Sequence, residues 1–186
     1  MRRVFTSIGL ASVLFVSVHA VSIAADDGAS NEVVYKSPGE SYKEDGKYFL
    51  KESDNPIYNK NDKDEWDWLT FNGNRRYHAE CHVCHGPLGL GSSFAPALAT
   101  SLKTLSYEKF RDVVVNGRSV KQPDGSVNSM PSFGNNKNVM CFLDDFYLYL
   151  KARADGVLGP IPHRVMKKEA KSKDIREEEA ECFGDS

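Results

Sequence analysis

The sequence predicts an all-α fold, on three observations. Between Ser106 and Gly117, and again between Val139 and Gly156, apolar residues recur three and four apart and the run closes at glycine, which is the pattern of helices with one buried face. A third short segment, "RRYHAEC", places Tyr77 and Cys81 four apart on one side of a turn of helix. No run alternates strictly between apolar and polar residues, as a half-buried strand would.

The first stretch, residues 1–24, opens with Arg2 and Arg3, continues through a largely apolar run to Ile23 and closes on small residues at Ser22 and Ala24. This is the layout of a secretory signal peptide cut after Ala24, and its length and Ser/Thr content set it apart from a membrane anchor. The whole chain has 24 Lys+Arg against 26 Asp+Glu, a net charge of -2; without Arg2 and Arg3 it has 22 against 26, or -4. A mildly acidic chain without a basic stripe excludes nucleic acid as a partner, and no second apolar run is long enough for stable membrane insertion. The mature protein is expected to be soluble, monomeric and periplasmic.

Residues 25–69 read as an extended arm. They are rich in Asp, Lys, Asn, Gly and Tyr and lack a sustained apolar period, but Tyr48, Phe49, Tyr58, Trp66 and Trp68 argue against plain disorder. Residues 70–156 form the domain. Asn72 or Asn74 is positioned to cap the helix through "RRYHAEC", and "GPLGLGSSFAPALA" follows as a Gly, Ser and Pro loop. Ser106 caps the next helix, with Glu108 in its first turn, an apolar face of Phe110, Val113 and Val114, and Gly117 as the stop; Lys109 precludes a capping box. A polar loop with turns at Pro123-Asp124-Gly125 and Gly134-Asn135 leads to the last helix, "VMCFLDDFYLYLKARADG", with Leu143, Phe146, Tyr147 and Leu150 on its stripe. Residues 157–186 are a charge-dense tail with little to bury, the composition of a solvated face or loose segment.

The chemistry concentrates in "ECHVCHG", where Cys81, Cys84 and His85 have the CxxCH spacing of c-type haem attachment. Cysteines three apart on a tight turn face one side and each can form a thioether with a haem vinyl, while the next residue, His85, brings imidazole to the iron. His82 reads as a surface residue. Structural zinc needs a second paired motif, which the isolated Cys141 and Cys182 do not provide; a thioredoxin-like dithiol needs a βαβ context; a plain disulfide has no use for the adjacent histidine. For the other axial position methionine is the ligand sought. Met130 in "NSMPSFG" is preferred, because Pro131 stiffens the backbone after the sulfur, whereas Met140 reads as core and Met166 lies in the tail.

"YHAECHVCHG", "GLGSSFAPAL", "MPSFG" and "FYLYLKARADG" together resemble a class I cytochrome c domain over about residues 70–156. The stretches "NRRYHAECHVCHGPLGLGSSFAPALATSLKTLSYEKF" and "MPSFGNNKNVMCFLDDFYLYLKARADG" further resemble the four-cysteine cytochromes of methanol metabolism, similar in role to cytochrome cL. The resemblance implies one haem c, with Pro96 accepting the Nδ1–H of His85 and Leu98 packing on the haem face. It includes Cys141 and a C-terminal cysteine corresponding to Cys182, and in an oxidising compartment one disulfide between them is the economical reading, with free thiols as the alternative. Arg118 is a candidate haem propionate partner.

A closed His/Met iron implies an electron carrier and not an enzyme. The resemblance implies a quinoprotein methanol or alcohol dehydrogenase as electron donor and a downstream cytochrome c or oxidase as acceptor. A generic carrier, or a haem enzyme or gas-binding protein with an open sixth position, are the alternatives.

Overall fold

The computed structural model describes residues 39–184, so the signal segment and the start of the arm lie outside the described residues. In chain order the elements are β1 (Ser41–Glu44), β2 (Lys47–Leu50), α1 (Trp68–Glu80), α2 (His82–His85), α3 (Leu98–Ser101), α4 (Tyr107–Asn116), β3 (Arg118–Lys121), β4 (Val127–Met130), α5 (Lys137–Met140), α6 (Leu143–Ala154) and α7 (Lys173–Phe183). The expected all-α class therefore holds only for the core. Two antiparallel hairpins are added, β1 with β2 and β3 with β4, the second in the register Arg118↔Met130 to Lys121↔Val127. Both strands of the second hairpin are exposed almost throughout, so no buried face imposed an alternating pattern on the sequence.

The centre of the molecule is the packing of α1 against α6. Helix α6 is buried on nearly every side, with Phe146, Tyr147, Leu148, Tyr149 and Leu150 all in the core. Burial on all sides removes the amphipathic contrast that a surface helix shows. The last helix expected from sequence is broken: Phe142, at φ -133, ψ 24, separates α5 from α6 directly after Cys141.

Helix α1 is longer than expected and starts elsewhere. Its cap is Asp67, which accepts from Thr70 N–H (2.9 Å), Thr70 Oγ1–H (2.7 Å) and Asn59 N–H (2.8 Å). Asn72 and Asn74, the expected caps, are inside the helix and buried. Asn72 donates to Asp145 Oδ2 on α6 (2.6 Å), and Asn74 Nδ2 lies 3.3 Å from Met166 Sδ. Their polar groups serve contacts between elements instead of the helix start.

The tail is not loose. Ile175 of α7 is buried, Cys182 is bonded to Cys141, and Lys137 Nζ donates to Phe183 O (2.9 Å). Trp66 N–H donates to Lys167 O and Glu169 N–H to Trp66 O, so the end of the arm and the tail run side by side. Sequence composition missed this because the few apolar groups involved, Ile57, Tyr58, Trp66, Met166 and Ile175, are too sparse to mark a buried face by their period.

Candidate functional site

Helix α1 ends where the cysteine motif begins. Cys81 N–H donates to Tyr77 O (2.9 Å), and the N–H groups of Cys84 and His85 both return to Cys81 O (3.3 and 3.0 Å). The motif is thus one tight turn, with Cys81 half-buried and Cys84 exposed. Two side chains fix the backbone that follows it: buried Tyr77 donates its hydroxyl to Gly86 O (2.6 Å), and Ser92 donates to Cys84 O. The sequence offered Tyr77 only as a neighbour of Cys81, and Ser92 as one of several loop serines.

His85 is buried, and its Nδ1 lies 2.9 Å from Pro96 O. A carbonyl only accepts, so the proton sits on Nδ1 and the Nε2 lone pair is left for a metal. His82 differs from its reading as a surface residue: it is half-buried, and its Nδ1 is shielded without a hydrogen-bond partner.

Cys81 and His85 open onto an apolar cleft walled by Leu98, Phe110, Val114, Phe146, Leu150 and others, with Met130 at its lining. Met130 ends β4, and the "PSF" that follows is stitched to the end of α4: Phe133 N–H donates to Val114 O (3.0 Å) and Ser132 Oγ to Val115 O (2.5 Å). Gly117 makes this crossing possible. It sits at φ +75, and a Cβ there would stand 2.7 Å from Met130 O and 2.8 Å from Ser132 N. The sequence had marked Gly117 only as a helix stop.

The other candidate residues lie elsewhere. Met140 lines a different, charged groove with Cys141, Asp144 and Glu178. Met166 is buried against Asn74. Arg118 is exposed on β3, opposite Met130 in register, and is not part of the cleft wall. Pro96 reaches the site through its carbonyl, and Leu98 through its side chain.

The electrostatics oppose thiol redox chemistry. As a free thiol Cys81 is pushed up to about 12, first by burial and then by Glu80 and Cys84. A catalytic dithiol needs a lowered value to supply thiolate. With Cys141 and Cys182 joined in a disulfide (Cα–Cα 5.7 Å), neither is available to complete a four-cysteine metal cage.

No family model matches the chain. Over 141 residues it is 43% identical to cytochrome c-553I of Paracoccus denitrificans, covering 75% of this chain and 60% of that protein. It therefore spans less than two thirds of that relative's length. Over 93 residues it is 42% identical to cytochrome c-555 of Methylococcus capsulatus, covering 50% of this chain and 68% of that protein. Among solved structures, the c-type cytochrome XoxG from Methylobacterium extorquens AM1 superposes with a TM-score of 0.67 at 49% identity, covering 76% of this chain and 84% of that one.

Proposed function

This chain belongs to the c-type cytochromes, whose cofactor is covalently attached haem c, and on that premise we propose that it is a periplasmic mono-haem carrier of single electrons. Its electron donor is a pyrroloquinoline-quinone-dependent methanol or alcohol dehydrogenase, and its acceptor a downstream cytochrome c or oxidase. The partner reading rests on the resemblance to methanol-metabolism cytochromes. The leader-like first 24 residues and the disulfide support the periplasmic reading; no helix among the described residues is long and apolar enough to cross a membrane.

The residues present fit haem c. Cys81 and Cys84 are one turn apart, as two thioether bonds require, and His85 and Met130 line the same cleft, whose other walls are carbon. Cys81 and Cys84 would carry the attachment, His85 and Met130 would hold the iron, and Leu98 would pack against the ring. Bound there, haem c supplies a one-electron Fe(II)/Fe(III) couple. The chain's part is to hold that couple steady. Pro96 O orients the His85 ring and raises its basicity. The hydrogen bonds from the "PSF" segment to α4 set the reach of Met130, and its thioether favours the reduced state. With His85 and Met130 both on the iron, no position would be left for a substrate.

Electrons leave where the site meets solvent. Cys84 is exposed, and around it Val83, Leu90 and Phe94 are 72%, 60% and 79% exposed, three apolar side chains within twelve residues of sequence. Such a rim suits the small, transient interfaces of redox partners.

The observation that carries the ligand assignment is that Met130, and neither Met140 nor Met166, lines the cleft with His85. The test is an optical titration of holoprotein with a purified quinoprotein methanol dehydrogenase as reductant, then carbon monoxide. Reduction by the enzyme without a carbon monoxide shift is expected. A carbon monoxide complex would overturn the closed carrier, and failure of the enzyme to reduce a closed iron would overturn the partner alone.

A further inference from the structure

We propose that His78 and His82 form a second metal site, a two-imidazole clamp for a late first-row divalent ion, Cu(II) foremost, where the last turn of α1 meets the start of α2. His78 lies in the last turn of α1 and His82 opens α2, and the turn at Cys81 brings their rings together. Their ring centroids are 5.9 Å apart with planes inclined by 31°. With bonds of about 2.0–2.1 Å a metal sits roughly 3.2 Å from each imidazole centroid, so two rings on one ion place their centroids between about 4.5 and 6.4 Å. The observed separation lies inside that interval.

Each ring is also prepared for the role. His78 Nδ1 donates to Asn74 O (2.7 Å), which fixes the tautomer and leaves the Nε2 lone pair free, the arrangement usual for metal-bound histidine. Tyr77 and Tyr149 stand against the same ring, at 5.3 and 6.1 Å, and limit its rotation. On His82, Nδ1 is buried and lacks a partner, a cost that a metal bridging the rings would relieve. The donor set selects the kind of ion. Both donors are neutral imidazole nitrogens, and such a donor set disfavours Ca(II) or Mg(II), which bind through charge and oxygen. Imidazole nitrogens favour Zn(II), Ni(II) and above all Cu(II), which bind through the lone pair.

The test is titration of CuCl2 into oxidised holoprotein, followed by calorimetry and by electron paramagnetic resonance. One saturable Cu(II) per chain is expected, with nitrogen couplings from two imidazoles. His78→Asn and His82→Asn should each weaken binding by at least about tenfold, since even loss of an outer partner costs that much. His163→Asn should leave the affinity within about twofold. His78 lies outside the cysteine motif, so its variant carries the test even if His82→Asn impairs haem attachment. Absence of saturable binding in the wild type, a spectrum with one imidazole nitrogen, or affinity retained in the double variant would overturn the site. An equal loss in His163→Asn would overturn the pairing.

Discussion

Gly73→Ala should destabilise the protein, although in an isolated helix the same change stabilises. Gly73 is in the middle of α1 and faces α6: a Cβ there would stand 2.6 Å from the Asp145 carbonyl carbon and 2.9 Å from Tyr149 Cβ. Carbon atoms pack at about 3.5–4.0 Å, so the helices must separate by roughly 1 Å, and the obstacle is backbone that cannot swing aside. Forcing a methyl into such a contact costs about 1–3 kcal/mol. Separation also stretches the buried Asn72 to Asp145 hydrogen bond (2.6 Å), worth about 1.5–3 kcal/mol if lost. Against this stands a gain of about 1 kcal/mol in helix propensity. The net loss is about 2–4 kcal/mol, and at about 2–4 °C per kcal/mol the melting point falls by roughly 5–15 °C. The assay is urea and thermal unfolding of holoprotein, followed by haem absorbance and circular dichroism. Gly159→Ala, where an added Cβ meets nothing within 4 Å, is the control and should be near neutral. A Gly73→Ala midpoint equal to or above wild type would refute the reasoning, because propensity would then outweigh the helix contact.

Met130→Ala should leave the haem attached, open the iron to carbon monoxide in the reduced state and lower the potential, read by spectroscopy and redox titration; an unchanged low-spin spectrum would move the ligand elsewhere. Replacing Cys141 and Cys182 together by Ser releases a closure of 41 residues, worth about 4 kcal/mol in the chain-entropy account. The melting point should fall by roughly 8–16 °C, while the Lys137 to Phe183 bond and buried Ile175 keep α7 docked in the native state. Burial raises Asp67 from 3.8 to about 6, against the hydrogen bonds from Asn59 and Thr70, and raises Asp145 in the same direction. Raised acids bind more protons folded than unfolded, so their stabilisation is fully present below about pH 4 and lost as pH rises through about 6, about 3 kcal/mol for Asp67. Urea midpoints across that window should show Asp67→Asn removing part of this slope relative to wild type and leaving the part due to Asp145; an identical slope would exclude Asp67 as a source.

The candidate site was largely legible because its chemistry is local. Cys81, Cys84 and His85 lie on one turn, and a spacing of three and one states their geometry before any tertiary contact forms. The helix from Tyr107 to Asn116 was legible for the same reason, since Ser106 and Gly117 act on their own neighbours. The start of α1 was not, because Asp67 caps it while also accepting from Asn59, and Asn72 and Asn74 have equal capping chemistry that burial diverts to α6 and to Met166.

By itself, then, the sequence determined the cysteine-histidine turn and the helix ends set by local caps, which depend on residues within a few positions of one another. Only the tertiary structure decided that β3 and β4 pair and present Met130 to the cleft, that Gly117 and Gly73 are points of close approach, and that the tail folds against the arm. Those outcomes depend on which distant surfaces meet, and the hydrophobic and steric terms that select them appear only when both surfaces are in place.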